Sequence, residues 1–181
     1  MKLLLFTGHS CSGKTTVSKL IVDRENFHLI SVHEYMKQIA EGLGYKKCRE
    51  WFQTEGIENV THTVSDFICE QLKHTKAEKV VIDDIFSVYM LNSIQKIDCK
   101  KVMVAMITKN DQRLNRMSYR KKTDLTEAKK ELKLYDDFKN EVGIDYVIAK
   151  ADFSILNESD TIENIYAKII NIVNNKLYED I

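Results

Sequence analysis

Apolar positions along this chain fall into short continuous runs, separated by longer stretches in which they recur every three or four residues. The runs are Lys2 to Thr7 (KLLLFT), Phe27 to Val32 (FHLISV), Lys79 to Ile82 (KVVI), Lys101 to Ile107 (KVMVAMI) and Asp152 to Leu156 (DFSIL). Their length and apolar content predict strands buried on both faces, as in a parallel sheet. Helical spacing occupies Thr15 to Asp23, Glu34 to Leu43, Glu58 to Lys73, Val88 to Ile97, Asp111 to Arg120, Glu127 to Glu141 and Thr161 to Leu177. In the last of these, Ile162, Ile165, Ile169, Ile170 and Val173 read as core packing. Strand alternating with helix predicts an α/β protein whose parallel sheet is sandwiched by helices.

Composition narrows this picture without changing it. A chain of 181 residues is expected to form one domain, residues 1–181, with a sizeable core. Lys plus Arg and Asp plus Glu both number 27, so no net positive field holds nucleic acid nonspecifically, although the Lys-rich stretch near residue 121 could touch a strand locally. The apolar run Leu3 to Phe6 is too short for a signal peptide and nothing later reaches membrane-spanning length, so the expected location is cytoplasmic. Cys11, Cys48, Cys69 and Cys99 stand far apart without a CxxC pair and read as reduced thiols. Proline is absent, and only Arg24, Arg49, Arg113, Arg116 and Arg120 supply arginine.

The strongest chemical signal is Gly8-His9-Ser10-Cys11-Ser12-Gly13-Lys14-Thr15, which fits GxxxxGK[ST] between a predicted strand and a predicted helix. Glycines let the backbone curl so that successive N–H groups converge on phosphate oxygens at the positive end of a helix. Lys14 is expected on the β and γ phosphates of ATP, Thr15 as a hydroxyl ligand of Mg²⁺, and Thr16 as the last residue of the ATP-binding run. The strand Val80-Val81-Ile82 ends in Asp83-Asp84, an arrangement suited to a Walker B carboxylate. Asp83 is the first choice for the metal, with catalytic duty open to either acid; a strand-terminal Asp could equally cap the next helix.

Ser31, His33, Glu34 and Lys37 fall where the second strand gives way to a helix, at the sheet edge that binds ligands in open α/β folds. The run His28 to Lys37 resembles the nucleoside monophosphate kinase segment hISxGDxLR, with Glu34 in place of Asp and Lys37 in place of Arg. The wider chain resembles P-loop kinases of the adenylate kinase and dephospho-CoA kinase type, and especially an archaeal adenylate-kinase-related group. The likeness extends to Ala151-Asp152-Phe153-Ser154-Ile155-Leu156-Asn157, similar to that group's ADxxIxN, and places Asn157 with the ATP-binding residues. It implies a three-layer sandwich of the P-loop NTP hydrolase fold with strand order 2-3-1-4-5, a substrate-binding insertion over residues 33–75 and a lid over 113–130. ATP rather than GTP is implied by the resemblance, with Mg²⁺ as cofactor and a small phosphorylated acceptor as second substrate. The sequence leaves the oligomeric state open.

Departures from the pattern concern the acceptor. Where such kinases carry Asp-Gly-x-x-Arg or Asp-x-Arg to clamp the acceptor phosphate, this chain reads Asp83-Asp84-Ile85-Phe86-Ser87. Arg49 to Gly56 is similar to the RxxxQxxG stretch of phage deoxynucleotide kinases; Arg49 and Gln53 would share a helix face. Alternatively, Trp51 and Phe52 pack a small helical insertion and Gln53 is solvated. His33 is open to two readings, an acceptor contact or general base, or a hydrogen-bonded structural residue. Arg113, Arg116 and Arg120 stand at i, i+3 and i+7, and arginine in a lysine-rich chain points to bidentate phosphate contacts. The resemblance puts this stripe in the lid, facing the transferring phosphoryl group. The short polar turn Lys121 to Thr126 follows, with Thr126 expected to cap the next helix. A regulatory switch or slow ATPase that has lost its acceptor clamp remains the alternative to a kinase.

Overall fold

Five parallel strands, β1 (Lys2–Thr7), β2 (His28–Ile30), β3 (Lys79–Ile82), β4 (Lys100–Ile107) and β5 (Phe153–Leu156), form one sheet in the order β2-β3-β1-β4-β5. This is seen in a computed structural model that describes residues 1–158 and 160–178. Leu3 lies opposite Val80 on one side and Lys101 on the other, and Leu5 opposite Ile82 and Met103. The pleat sends Leu3 and Leu5, with Ile30, Val80, Ile82 and Met103, to one face. Leu4 and Phe6 go to the other with Val81, Val102, Val104 and Met106. Helices cover both faces, which is why the strands read as unbroken apolar runs.

On the Leu4 face lie α1 (Lys14–Glu25), α9 (Ile162–Val173) and a π-helical turn over Asn174–Tyr178, contributing Val17, Ile21, Ile165, Ile169 and Leu177. On the Leu3 face lie α2 (Val32–Gly42), α3 (Cys48–Glu55), α4 (Ile57–His74), α5 (Val88–Gln95) and α8 (Ile144–Ala149). The segment expected as a substrate insertion is therefore the three helices α2, α3 and α4, and it packs Trp51, only 2% exposed, into the core of this face. Packing thus accounts for Trp51; Phe52 stacks on it and meets Phe138 with ring centroids 4.6 Å apart.

The expected lid is a helical hairpin, α6 (Asn110–Lys121) and α7 (Leu125–Glu141), closed by Met117, Ala128 and Leu132. Asp124, not Thr126, caps α7: its carboxylate accepts the Glu127 N–H at 2.8 Å. The helix begins two residues earlier than its apolar spacing indicated, which leaves Thr126 inside the first turn. No helix among the described residues is long and apolar enough to cross a membrane.

A parallel sheet gathers all its strand C-termini at one edge. Here that edge is Gly8, Ser31, Asp83, Thr108 and Asn157, tied across by Ile85 N–H to Phe6 carbonyl (2.6 Å), Asp83 N–H to Ile30 carbonyl (3.2 Å) and Asn157 N–H to Ile107 carbonyl (2.7 Å).

Candidate active site

Between β1 and α1 the chain turns through Gly8 at φ +130°, Cys11 at φ 63° and Gly13 at φ +100°. At Gly8 a Cβ would strike the Met106 carbonyl oxygen, and at Gly13 the Asn157 side-chain amide, so both glycines serve close approach as well as the turn. No side chain caps α1, whose first N–H groups remain for an anion. Lys14 Nζ lies beneath the loop, donating to the carbonyls of Gly8 (2.8 Å) and His9 (2.9 Å) and standing 3.5 Å from Asp84 Oδ1. Burial, with the ammonium of Lys139 adding to it, lowers its pKa to about 7 against the pull of Asp84.

Asp83, at the end of β3, accepts from Val32 N–H at 2.9 Å through Oδ1, which caps the start of α2 rather than of α5. Its Oδ2 accepts from the hydroxyls of Ser31 (3.1 Å) and Thr15 (3.2 Å). Burial raises its carboxyl, opposed by these hydrogen bonds. A hydroxyl and a carboxylate side by side at the end of this loop fit Mg²⁺, which takes few protein oxygens and completes its shell with water and ligand oxygens. Thr15 and Asp83 are the residues that could hold it.

Lys139 of α7 reaches the same place and carried no motif. Its Nζ donates to the Gly8 carbonyl (2.7 Å) and to both oxygens of Asp84 (2.9 and 2.8 Å), at 4% exposure. Burial alone would raise the Asp84 carboxyl, but Lys139 and Lys14 outweigh it and hold it below its ordinary value. A signal existed: Lys139 lies seven residues after Leu132 and four after Tyr135, on the apolar stripe of α7.

The arginine stripe divides by depth. Arg113, 3% exposed, donates Nε to the Ser10 carbonyl (2.8 Å), Nη1 to Asn110 Oδ1 (2.9 Å) and Nη2 to Asp136 of α7. His9 Nδ1 stands 3.3 Å from the same Asp136 oxygen. Arg116 donates to the carbonyls of Cys11 (3.2 Å) and Asn157 (3.1 Å), and Asn157 Nδ2 donates to the Ser12 carbonyl (2.8 Å). Arg120 is exposed and touches Met117 Sδ at 3.4 Å. Burial raises Asp136, but the close approach of His9 and the hydrogen bond from Arg113 prevail and keep it below the usual carboxylate range. Its contribution to stability is therefore present above the ordinary aspartate value near 4 and lost as pH falls through the lower folded value. Asp136→Asn should flatten the acid limb of a melting-temperature profile. Arg113→Lys should lower the melting temperature more than Arg120→Lys, and equal effects would contradict this division.

Ser31 joins the Asp83 network, whereas His33, Glu34 and Lys37 are exposed on α2, with Lys37 3.8 Å from Glu41. Arg49 and Gln53 are exposed on α3. Phe86 is buried in the core and Ser87 caps α5, its Oγ accepting the Met90 N–H at 3.1 Å.

No family model matches the chain. A UPF0200 protein of Pyrobaculum aerophilum is 26% identical over 170 residues, 93% of this chain and 95% of that protein. Among solved structures, the shikimate kinase of Aquifex aeolicus superposes with a TM-score of 0.65 at 19% identity, covering 99% of this chain and 100% of that one. The shikimate kinase of Acinetobacter baumannii, in complex with shikimate, gives 0.63 at 17% identity over 98% and 95%. An uncharacterised protein of Eubacterium ventriosum gives 0.67 at 14% identity over 96% and 99%. The architecture, sheet order and helices on both faces are those of the P-loop kinase fold.

Proposed function

We propose that this chain is an ATP-dependent small-molecule kinase, transferring the γ-phosphoryl of ATP to a nucleotide-like acceptor of the nucleoside monophosphate or dephospho-CoA type. The observation that carries the reading is the convergence of Lys14, Thr15 and Asp83 at one strand edge, under a loop whose glycines admit no Cβ. Around that loop Lys14 and Lys139 meet Asp84, Arg113 meets Asp136 and Arg116 meets the Cys11 carbonyl, which gathers four donors that a polyphosphate would use. ATP binds over Gly8 to Thr16, with Arg116 and Asn157 flanking Gly13. Thr15 and Asp83 would hold Mg²⁺, which would neutralise part of the charge on the nucleotide's phosphates. Transfer breaks the bond between the γ phosphorus and the β–γ bridging oxygen and forms one to an acceptor oxygen. The acceptor lies over Ser31, His33, Glu34 and Lys37, with Arg49 and Gln53 at its outer side.

One observation favours a second reading, an ATP-bound switch or slow ATPase: Phe86 and Ser87, where an acceptor arginine was expected, are absorbed into the core and a helix cap. Mg²⁺-dependent ADP release, coupled to a detection enzyme and run over nucleoside monophosphates, dephospho-CoA and short RNA, separates the two. Stimulation by one acceptor supports the kinase, and slow release indifferent to every acceptor supports the switch. Release stimulated by RNA alone would overturn the small-molecule reading.

A further inference from the structure

We propose that Lys139 is a second phosphate-binding lysine, which rests on Asp84 when no nucleotide is present and donates to the γ-phosphoryl of bound ATP. This rests on the ATP reading of the loop and names a residue that no motif assigns. Lys14 and Lys139 share their partners: both donate to the Gly8 carbonyl and both are held by Asp84. The two ammonium groups are therefore neighbours, and a phosphate oxygen within reach of one lies close to the other.

The three protons of Lys139 are spent on three oxygens, two of them from a carboxylate that Lys14 also approaches. Two buried ammonium groups thus divide one anion. A γ-phosphoryl supplies the missing negative charge, and Lys139 can turn to it without stranding Asp84, which keeps Lys14. The direction of approach matters as well. Lys14 comes from the loop beneath the phosphates, whereas Lys139 comes from α7, which is fastened to the loop by Asp136 one turn earlier. After β3 the chain offers Ile85, Phe86 and Ser87, two of them apolar and the third a cap, so no cation comes from that segment. Lys139 brings a cation from α7 instead, as a point charge without a bidentate fork.

Calorimetric titration of Mg²⁺-ATP and Mg²⁺-ADP into the unmodified protein, Lys139→Gln and Lys139→Arg tests this without knowledge of the acceptor. The glutamine variant should lose about 10- to 100-fold of the preference for ATP over ADP, the worth of a hydrogen bond to a charged group. Its ADP affinity should change little, and arginine should restore part of the preference. An unchanged ATP to ADP ratio in a folded glutamine variant would overturn the proposal and leave Lys139 a static ion pair. Should that variant not fold, the ζ-nitrogen NMR resonance of Lys139 in the unmodified protein decides: ATP, and not ADP, should shift it, and a resonance indifferent to ATP refutes the role. If the unmodified protein binds neither nucleotide, the ATP reading fails first and this inference falls with it.

Discussion

Lys14→Met is expected to cut Mg²⁺-ATP turnover by about 10²- to 10³-fold, the scale set by removing one preorganised donor from a developing oxyanion. The melting temperature should hold or rise. These opposite effects follow from one environment. The ammonium is buried, and burial lowers its pKa to about 7, so the folded chain bears a desolvation cost for keeping it. Methionine fills a similar volume without that cost. Asp84 is not orphaned by the change, because Lys139 still meets both its oxygens at 2.8 and 2.9 Å. Turnover measured beside a thermal melt resolves the matter. A stable variant with undiminished turnover would dismiss Lys14 from phosphate binding, and a variant that simply unfolds would show the ammonium to be structural.

Gly8→Ala should instead damage the fold. At φ +130° an L-residue is strained, at a cost on the order of 1–3 kcal/mol. The added Cβ meets the Met106 carbonyl, which belongs to a central strand hydrogen-bonded on both sides and cannot swing away as a flexible side chain would. Overpacking adds roughly 1–3 kcal/mol. At about 2–4 °C per kcal/mol for a domain of this size, the melting temperature should fall by roughly 5–20 °C. Gly44→Ala is a suitable control: its φ is also positive, at +89°, but nothing lies within 4 Å of the added atom. If the two variants melt together, strain alone matters and the contact with Met106 is harmless.

How much of this was legible in the sequence depended on how locally each feature is encoded. The central strands announced themselves because both faces are covered, so no polar residue interrupts Leu3-Leu4-Leu5-Phe6 or Val80-Val81-Ile82. The turn between β1 and α1 was legible because its glycines, lysine and threonine fall within the eight residues Gly8 to Thr15. Helix α8 escaped because six residues hold too few turns for a periodic stripe. Lys139 was hidden among 22 lysines and lies 125 positions from Lys14; only its place on an apolar stripe hinted at burial. The arginines illustrate the opposite difficulty. Spacing correctly placed Arg113, Arg116 and Arg120 along one helix, but it could not say that Arg113 is consumed by Asp136 and Ser10.

The position of β1 in the middle of the sheet sets a schedule for synthesis. This strand is made before both its partners, β3, in which Lys79 faces Lys2, and β4, in which Lys100 faces the same residue. A nascent chain that ends before Lys79 therefore carries Leu3 to Phe6 with neither neighbour available, and that run must wait, exposed or sheltered by the ribosome and chaperones. Such long-range pairing makes for slow folding. Pausing translation after β4 has emerged, rather than before, should raise the yield of soluble protein.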